Sequence, residues 1–352
     1  MRNVTFPNLG FEFNFNPIAF SIGSIEVHWY ALIIAVGFIL AVIYCFRRAK
    51  RFGIDLDRLT DMVLGGLIGG IIGARLYYVL FKLDYYLANP LDIFKTWEGG
   101  LAIYGGIIGA LLVAWAVAHF RRIKFGPVLD LAGLGFLIGQ GIGRWANFVN
   151  VEAFGCNTTL PWGMSGTTVS QYLSDHASEL STYGVTVDPS LPVHPTFLYE
   201  SLWCLLGFLL LHIYSRYRKF DGEIFLFYSA WYGLGRFVIE GLRTDSLMLG
   251  KVRVSQLLAA LIVVAAVIAW VVIRSRIKRD STSKWAVLYV NTEEAQEILK
   301  NGYQSKKKQK KSKSLEQIDE NLSEDLDANL KEEKISGNDI LEPDESKNAR
   351  EE

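Results

Sequence analysis

The chain has 352 residues, 51% of them hydrophobic, and its 36 Lys and Arg are matched by 36 Asp and Glu. That balance conceals an asymmetry: residues 1–275 are apolar and glycine-rich, whereas residues 276–352 are dominated by Lys, Glu, Asp, Asn and Ser. A bilayer core about 30 Å thick is crossed by roughly 20 apolar residues in a helix; such runs recur here, which excludes a soluble class for the first part and leaves nucleic acid off the list of expected partners.

In chain order, the expected elements are about seven transmembrane helices, at 29–46, 60–81, 101–120, 127–145, 196–214, 222–240 and 252–273. The fold class is therefore an all-α integral membrane protein. No basic n-region with a compact apolar stretch and a small-residue cleavage site precedes the first span, so no separate signal peptide is expected. Basic residues mark alternate connections. Arg47, Arg48, Lys50, Arg51 and Arg58 follow span 1, Arg121, Arg122 and Lys124 follow span 3, Arg216, Arg218 and Lys219 follow span 5, and Arg274, Arg276, Lys278 and Arg279 follow span 7. From Trp145 to Ser215 there is no Lys or Arg. The positive-inside bias then places the N-terminus outside, the C-terminus in the cytoplasm and the segment 147–195 on the outer face.

The chain divides into a membrane domain, 1–275, and a cytoplasmic charged tail, 276–352, expected to be largely disordered. Within the tail, residues 284–300 can form one small strand–helix unit. The basic run KKKQKKSK at 306–313 either lies against anionic lipid heads or is simply solvated. Cys45, Cys156 and Cys204 lack metal-ligand spacing, and no metal or other cofactor is expected.

Glycines recur at every fourth position: Gly65, Gly69 and Gly73 in span 2, Gly105 and Gly109 in span 3, and Gly135, Gly139 and Gly143 in span 4. Such spacing lets helix backbones approach closely. Gly99, Gly100, Gly105 and Gly106 flank Tyr104, where a bent backbone near a site is expected.

Ionisable groups at membrane depth are costly and mark function. Four clusters qualify: His28 and Tyr30 in VHWY; Arg75 with Tyr77 and Tyr78; Arg144, Asn147, Asn150 and Glu152 in GRWANFVNVEAFG; and Tyr232, Arg236, Glu240 and Arg243 in YGLGRFVIEGLR. The last four residues share one helix face at spacings of four, four and three. Two or three arginines backed by two glutamates form a pocket suited to an anionic phosphate, which guanidinium matches in a bidentate manner. The alternative is structural ion pairing, Arg236 with Glu240 and Arg144 with Glu152, with Arg75 on Asp61 or Asp130. His28 reads as a polar tip at the interface. His194, in HPTFLYE with Tyr199 and Glu200, is held at the outer interface by Pro195.

The segment Gly143–Gly155 resembles the signature of the bacterial phosphatidylglycerol–prolipoprotein diacylglyceryl transferases, approximately GRxGNFxNxExxG, with Ala146 where that family usually has glycine. HWY at 28–30, GGLAIYGG at 99–106, HPTFLYE at 194–200 and YGLGR at 232–236 extend the likeness over nearly the whole membrane region, leaving out the tail after about residue 280. The resemblance implies transfer of the diacylglyceryl group of phosphatidylglycerol to the lipobox cysteine thiol of a prolipoprotein, forming a thioether and releasing glycerol 1-phosphate. It also implies a multi-pass protein of the bacterial plasma membrane, with its active site toward the outer face. Residue by residue, it makes Arg144 and Arg236 the essential arginines, and it marks Asn147, Glu152, Tyr30, Tyr232 and Glu240 as functional positions. Tyr104 stands where many members have a histidine proposed as a base. With Arg144, Asn147, Tyr232, Arg236, Glu240 and His194 as the expected lipid-binding set, Tyr104, Tyr30 or Glu152 would assist proton transfer or orient the thiol.

A transporter for an anionic lipid could use the same basic pocket, but spans 1–3 and 5–7 show no clear internal repeat. A membrane scaffold acting through its tail finds no motif there. An alcohol phosphotransferase would need close-set aspartates for metal ions, and Asp55, Asp57 and Asp61 lie on the expected cytoplasmic side.

Overall fold

A computed structural model describes residues 2–302 apart from 24, 247, 250, 251 and 284. Contacts close residues up to Lys300 into one unit, and the second unit contributes only Asn301 and Gly302 to the described residues. The basic run at 306–313 and the acidic stretch after it lie outside the described residues.

Ten helices run along the described chain: α1 Trp29–Arg48, α2 Leu56–Leu80, α3 Leu83–Ala88, α4 Ile103–Phe120, α5 Phe125–Asn150, α6 Thr167–Thr182, α7 Thr196–Tyr214, α8 Glu223–Glu240, α9 Val254–Arg279 and α10 Glu293–Asn301. The fold is mostly helical rather than wholly so. Three antiparallel two-stranded ladders accompany the helices: β1 Arg2–Phe6 with β2 Phe11–Phe15, β3 Ile18–Ile22 with β4 Ile25–His28, and β5 Met248–Leu249 with β6 Val252–Arg253.

Six of the helices, α1, α2, α4, α5, α7 and α9, are long and apolar enough to cross a membrane. The stretch expected as a further span, 222–240, forms helix α8, which is not among these six because Glu223, Arg236 and Glu240 give it a polar character. All three charges are turned to partners inside the bundle. Large apolar side chains stand exposed along the outer faces, among them Leu64, Ile68 and Ile71 on α2 and Leu257, Leu258 and Leu261 on α9. Apolar surface on that scale is far beyond what a water-facing monomer exposes, and a lipid surround accounts for it.

The helices alternate in direction, so the basic connections collect at one end of the bundle and the four polar clusters at the other. At the basic end, Phe52, Ile54, Leu59, Leu131, Leu134, Leu137 and Ile224 form one buried core. At the opposite end a second core joins Val4 and Phe6 of β1 to Phe148, Phe154, Met164, Leu173, Val193 and Phe197. The 147–195 segment is thus packed rather than loose: α6 lies within it, and Thr5 and Ser165 exchange backbone hydrogen bonds of 2.8 Å in each direction.

α2 and α4 pack along their glycines. A Cβ on Gly109 would lie 2.8 Å from the Gly73 Cα, closer than real side chains come. Arg75, expected to pair with Asp61 or Asp130, pairs with neither. Its guanidinium donates to the backbone carbonyls of Ile93 (2.8 Å), Gly99 (2.8 Å) and Gly100 (2.9 Å), and so folds the segment leading into α4. Gly99 and Gly100 adopt φ of 91° and 72°, the bent backbone expected there. Asp61 instead pairs with Arg121, and Asp130 accepts the backbone N–H groups of Gly222 and Phe225, each at 2.9 Å.

Among the described residues of 284–300 no strand forms, unlike the strand–helix unit the sequence allows. Residues Tyr289–Asn291 make a 3-10 turn and α10 follows.

Candidate active site

Three helices bring the arginines together. α7 begins at Thr196, directly after Pro195, whose fixed φ suits a helix start. Its first turns carry Glu200, which is 4% exposed. Two locks fix the register of α7. Toward α5, Trp145 Nε1 donates to Ser201 Oγ (3.1 Å), and Ser201 Oγ donates to the Gly141 carbonyl (2.7 Å). Toward α8, the indoles of Trp203 and Trp231 stack at 4.2 Å, and each N–H donates to the other residue's carbonyl at 2.9 Å.

Held this way, Glu200 joins two guanidinium groups. Its Oε2 lies 2.6 Å from Arg144 Nη2 of α5, and its Oε1 lies 2.8 Å from Arg236 Nη1 of α8. Arg243, just beyond α8, reaches the same Oε1 at 3.6 Å. The second nitrogen of Arg236 meets Glu240 Oε2 at 2.6 Å, the pair expected from their four-residue spacing. The other pair of the structural alternative, Arg144 with Glu152, is not made. Arg144 Nη1 donates to Asn147 Oδ1 (3.3 Å), and Asn147 in turn donates to Glu152 (2.7 Å). Glu152 is therefore linked to the cluster through an amide, because Glu200 already occupies the guanidinium.

Arg243 is held by Asp245 through two bonds of 2.8 and 2.6 Å. Burial alone would lower its pKa, but the hydrogen bond and charge of Asp245, with the charges of Glu200 and Glu240, hold it above the ordinary arginine value. Glu240 is 1% exposed, and its backbone carbonyl accepts from Arg253. Buried charges of this kind persist only when each has a partner. Arg144 and Arg236 nonetheless keep one fifth of their side-chain surface open.

Arg144 opens onto an apolar cleft of about 530 Å³ between α1, α2 and α5; Arg236, joined to it through Glu200, does not line that cleft. Tyr30, Arg144 and Asn147 line it at the polar end, and Phe38, Cys45, Leu59, Met62 and Leu131 line its length. Its lining on α5 runs from Val128 to Asn147, roughly 28 Å at 1.5 Å per residue. A long apolar trough with a cationic cap has the shape and polarity of an amphiphile with an anionic head.

The remaining expected residues are not drawn into the cluster. Tyr104, in the first turn of α4, is 71% exposed and does not line the cleft. Tyr232 is half-buried, with its ring stacked on Tyr228 at 6.0 Å. His194 Nδ1 lies 3.2 Å from the Tyr199 hydroxyl, which accepts from Trp162 (2.8 Å); burial lowers the imidazole pKa. His28 is exposed just before α1. Sequence reasoning missed the central carboxylate. Glu200 was visible as an acid in the second turn of an apolar span, and an ionisable group at that depth is itself a signal.

The model of the prolipoprotein diacylglyceryl transferase family matches residues 17–272, well over half of the chain. The chain belongs to this family. Curated relatives named phosphatidylglycerol–prolipoprotein diacylglyceryl transferase include one from Clostridium novyi, 40% identical over 269 residues and covering 76% of this chain and 99% of the relative. A second, from Streptococcus mutans, is 45% identical and covers 74% and 96%. A third, from Thermotoga maritima, is 42% identical and covers 73% and 84%. Membership makes the chain a membrane protein of a transferase family, in keeping with its six long apolar helices. The segment beyond residue 272, which includes the turn at Tyr289 and α10, lies past the family match.

Proposed function

We propose that this chain transfers the diacylglyceryl group of phosphatidylglycerol to the lipobox cysteine thiol of a prolipoprotein, with release of glycerol 1-phosphate. The observation that carries this reading is one buried carboxylate, Glu200, that joins Arg236 to Arg144, the arginine at the polar end of an apolar cleft.

The charges explain why such a device is needed. A thiolate attacks the glycerol carbon bonded to the phosphodiester oxygen; the C–S bond forms, the C–O bond breaks, and the phosphate leaves with a second negative charge. Preorganised cations aimed at that developing charge are the largest help a protein can give. Arg144 and Arg236 supply them, Asn147 and Glu240 orient the two guanidinium groups, and Tyr30 stands beside the headgroup. A thiol with pKa near 8.5 is already a few per cent thiolate at neutral pH. Positioning and leaving-group stabilisation can therefore outweigh a dedicated base. Glu152, through Asn147, and Tyr104, from the mouth of α4, are the groups available to orient the thiol or take its proton. Tyr232 and His194 support the lipid site from beside it.

In this reading the helical domain, residues 1–275, sits in the bacterial plasma membrane with the arginine cluster toward the outer face. The charged tail, 276–352, lies in the cytoplasm. The exposed apolar faces meet membrane lipid, and the lipobox peptide approaches from the polar end.

The test is transfer from labelled phosphatidylglycerol to a lipobox peptide by the purified protein in detergent. Thioether product is expected from the wild type. Arg236→Ala should abolish it, and Arg236→Lys should lower kcat by about 100-fold if planar bidentate contact is used. Full activity in Arg236→Lys would remove that role, and a lipid-supplied, folded wild type without product would remove the reaction.

A further inference from the structure

The segment following α9 returns to the basic end of the bundle and inserts where its connections converge. The Tyr289 backbone N–H donates to Asp221 Oδ2 at 2.7 Å, in the connection between α7 and α8. The Tyr289 ring, 6% exposed, packs on Gly53, in the connection between α1 and α2. There is no room for anything larger: a Cβ on Gly53 would stand 3.0 Å from Tyr289 Cδ1 and from Val290 Cα, and Gly53 has φ of 77°. Lys124, between α4 and α5, lies over the same ring at 5.8 Å and pairs with Glu294 of α10 at 3.7 Å. The Tyr289 hydroxyl lies against Arg58 in the first turn of α2. α10 is held by the fully buried Ala295. The Tyr289 side chain therefore touches the α1–α2 and α4–α5 connections and the start of α2, while its backbone N–H holds the α7–α8 connection.

The cleft walls are α1, α2 and α5, and at the basic end they close on Leu59, Met62 and Val63 of α2 against Cys45 of α1 and Leu131 of α5. Leu59 belongs to the same buried core as Phe52 and Ile54, the residues on either side of Gly53. α2 carries α4 with it along their shared glycine face. The turn that Tyr289 packs on, at Gly53, lies six residues before Leu59, the first α2 residue of the cleft lining.

We propose that Tyr289 is a positioning residue for lipid binding: inserted among the connections at the basic end, it fixes α2 against α1 and α5 and so sets the width of the apolar cleft. This rests on the reading of that cleft as the phosphatidylglycerol site. The residue touches neither the arginine cluster nor the cleft itself, so it acts on lipid affinity and leaves the chemical step alone.

Full-length Tyr289→Ala and Tyr289→Phe are compared with wild type in the transfer assay, varying phosphatidylglycerol at saturating peptide, and in direct lipid binding by native mass spectrometry. In Tyr289→Ala the KM and the lipid dissociation constant should rise together, about fivefold to tenfold, with kcat unchanged, as for loss of uniform binding. Tyr289→Phe, which keeps the ring, should restore most of the affinity. An unchanged KM and lipid affinity in Tyr289→Ala overturns the proposal, and so does a fall in kcat with KM unchanged. If Tyr289→Ala does not fold, Tyr289→Leu, which keeps apolar bulk but removes the ring, decides the matter: wild-type lipid affinity in it overturns the proposal. The binding arm separates this proposal from the reaction. A wild type that binds lipid but makes no thioether refutes the reaction while leaving Tyr289 testable.

Discussion

Glu200 is asked to do what no single arginine can: keep two like charges close together in a water-poor place. Its two oxygens serve Arg144 and Arg236 separately, at 2.6 and 2.8 Å, so the spacing of the guanidinium groups is that of one carboxylate. Glu200→Gln keeps the shape but removes the charge that offsets the pair. Breaking a buried ion pair by removing one partner costs about 3–5 kcal/mol, and the variant should show a clearly lower Tm in detergent, with transfer activity falling further than the lost folded fraction explains. A Tm and kcat both within error of wild type would show that the two arginines keep their places without its charge. His194 gives a prediction with a sign. Burial lowers its folded pKa below the ordinary value of about 6.5. Between the folded and unfolded values the unfolded chain binds more protons, so stability rises with pH in that window. On acidification the loss begins near the ordinary histidine value and is complete once pH passes below the folded one. Wild type should therefore lose more Tm between pH 7.5 and 5.5 than His194→Gln, and parallel losses would show that His194 is not the group responsible.

At the scale of elements, the α2–α4 pair depends on backbone contact along its glycines, but not equally along its length. A Cβ at Gly109 meets the Gly73 Cα at 2.8 Å, whereas one at Gly66 finds its nearest neighbour at 3.7 Å. Gly109→Ala should destabilise by about 1–3 kcal/mol through overpacking, and Gly66→Ala should be neutral or slightly stabilising because alanine is the better helix former. Thermal unfolding of the two variants, measured side by side, checks the contrast; equal effects would mean that the pair separates freely. The same helices show what could be read without coordinates. Span boundaries were legible because bilayer thickness dictates the length of an apolar run, and Arg236 with Glu240 because helical periodicity dictates their meeting. The partner of Arg75 was not, since its acceptors are backbone carbonyls that every residue carries. Glu200 as partner of Arg144 was hidden because they lie on different helices, and Glu152 stood nearer in sequence. The segment 284–300 reads as a small strand–helix unit, but its described residues instead make a 3-10 turn that buries Tyr289 before α10.

For the whole molecule, the cationic cap and the apolar trough are two ends of one binding surface, and they are built from different parts of the chain. The cap is assembled by α5, α7 and α8 around Glu200, while the trough is walled by α1, α2 and α5. Only α5 belongs to both, which is why its residues from Val128 to Asn147 run the length of the cleft. A ligand that fills both ends ties the two helix groups together, and binding to the folded state alone stabilises it by about 2.7 kcal/mol at 100 times the dissociation constant. Phosphatidylglycerol added to the detergent-solubilised protein should therefore raise Tm in a concentration-dependent way. A zwitterionic lipid with the same acyl chains should raise it less, because it fills the trough without the net charge the cap is built for. Arg144→Ala should cut the response to phosphatidylglycerol down to that of the zwitterionic lipid, since it removes the one guanidinium that lines the cleft directly. Gly139→Leu, on the trough wall, should weaken the response to both lipids. Equal stabilisation by the two lipids in wild type would mean that the cap does not read the headgroup, and the arginines around Glu200 would then have to be understood as structural.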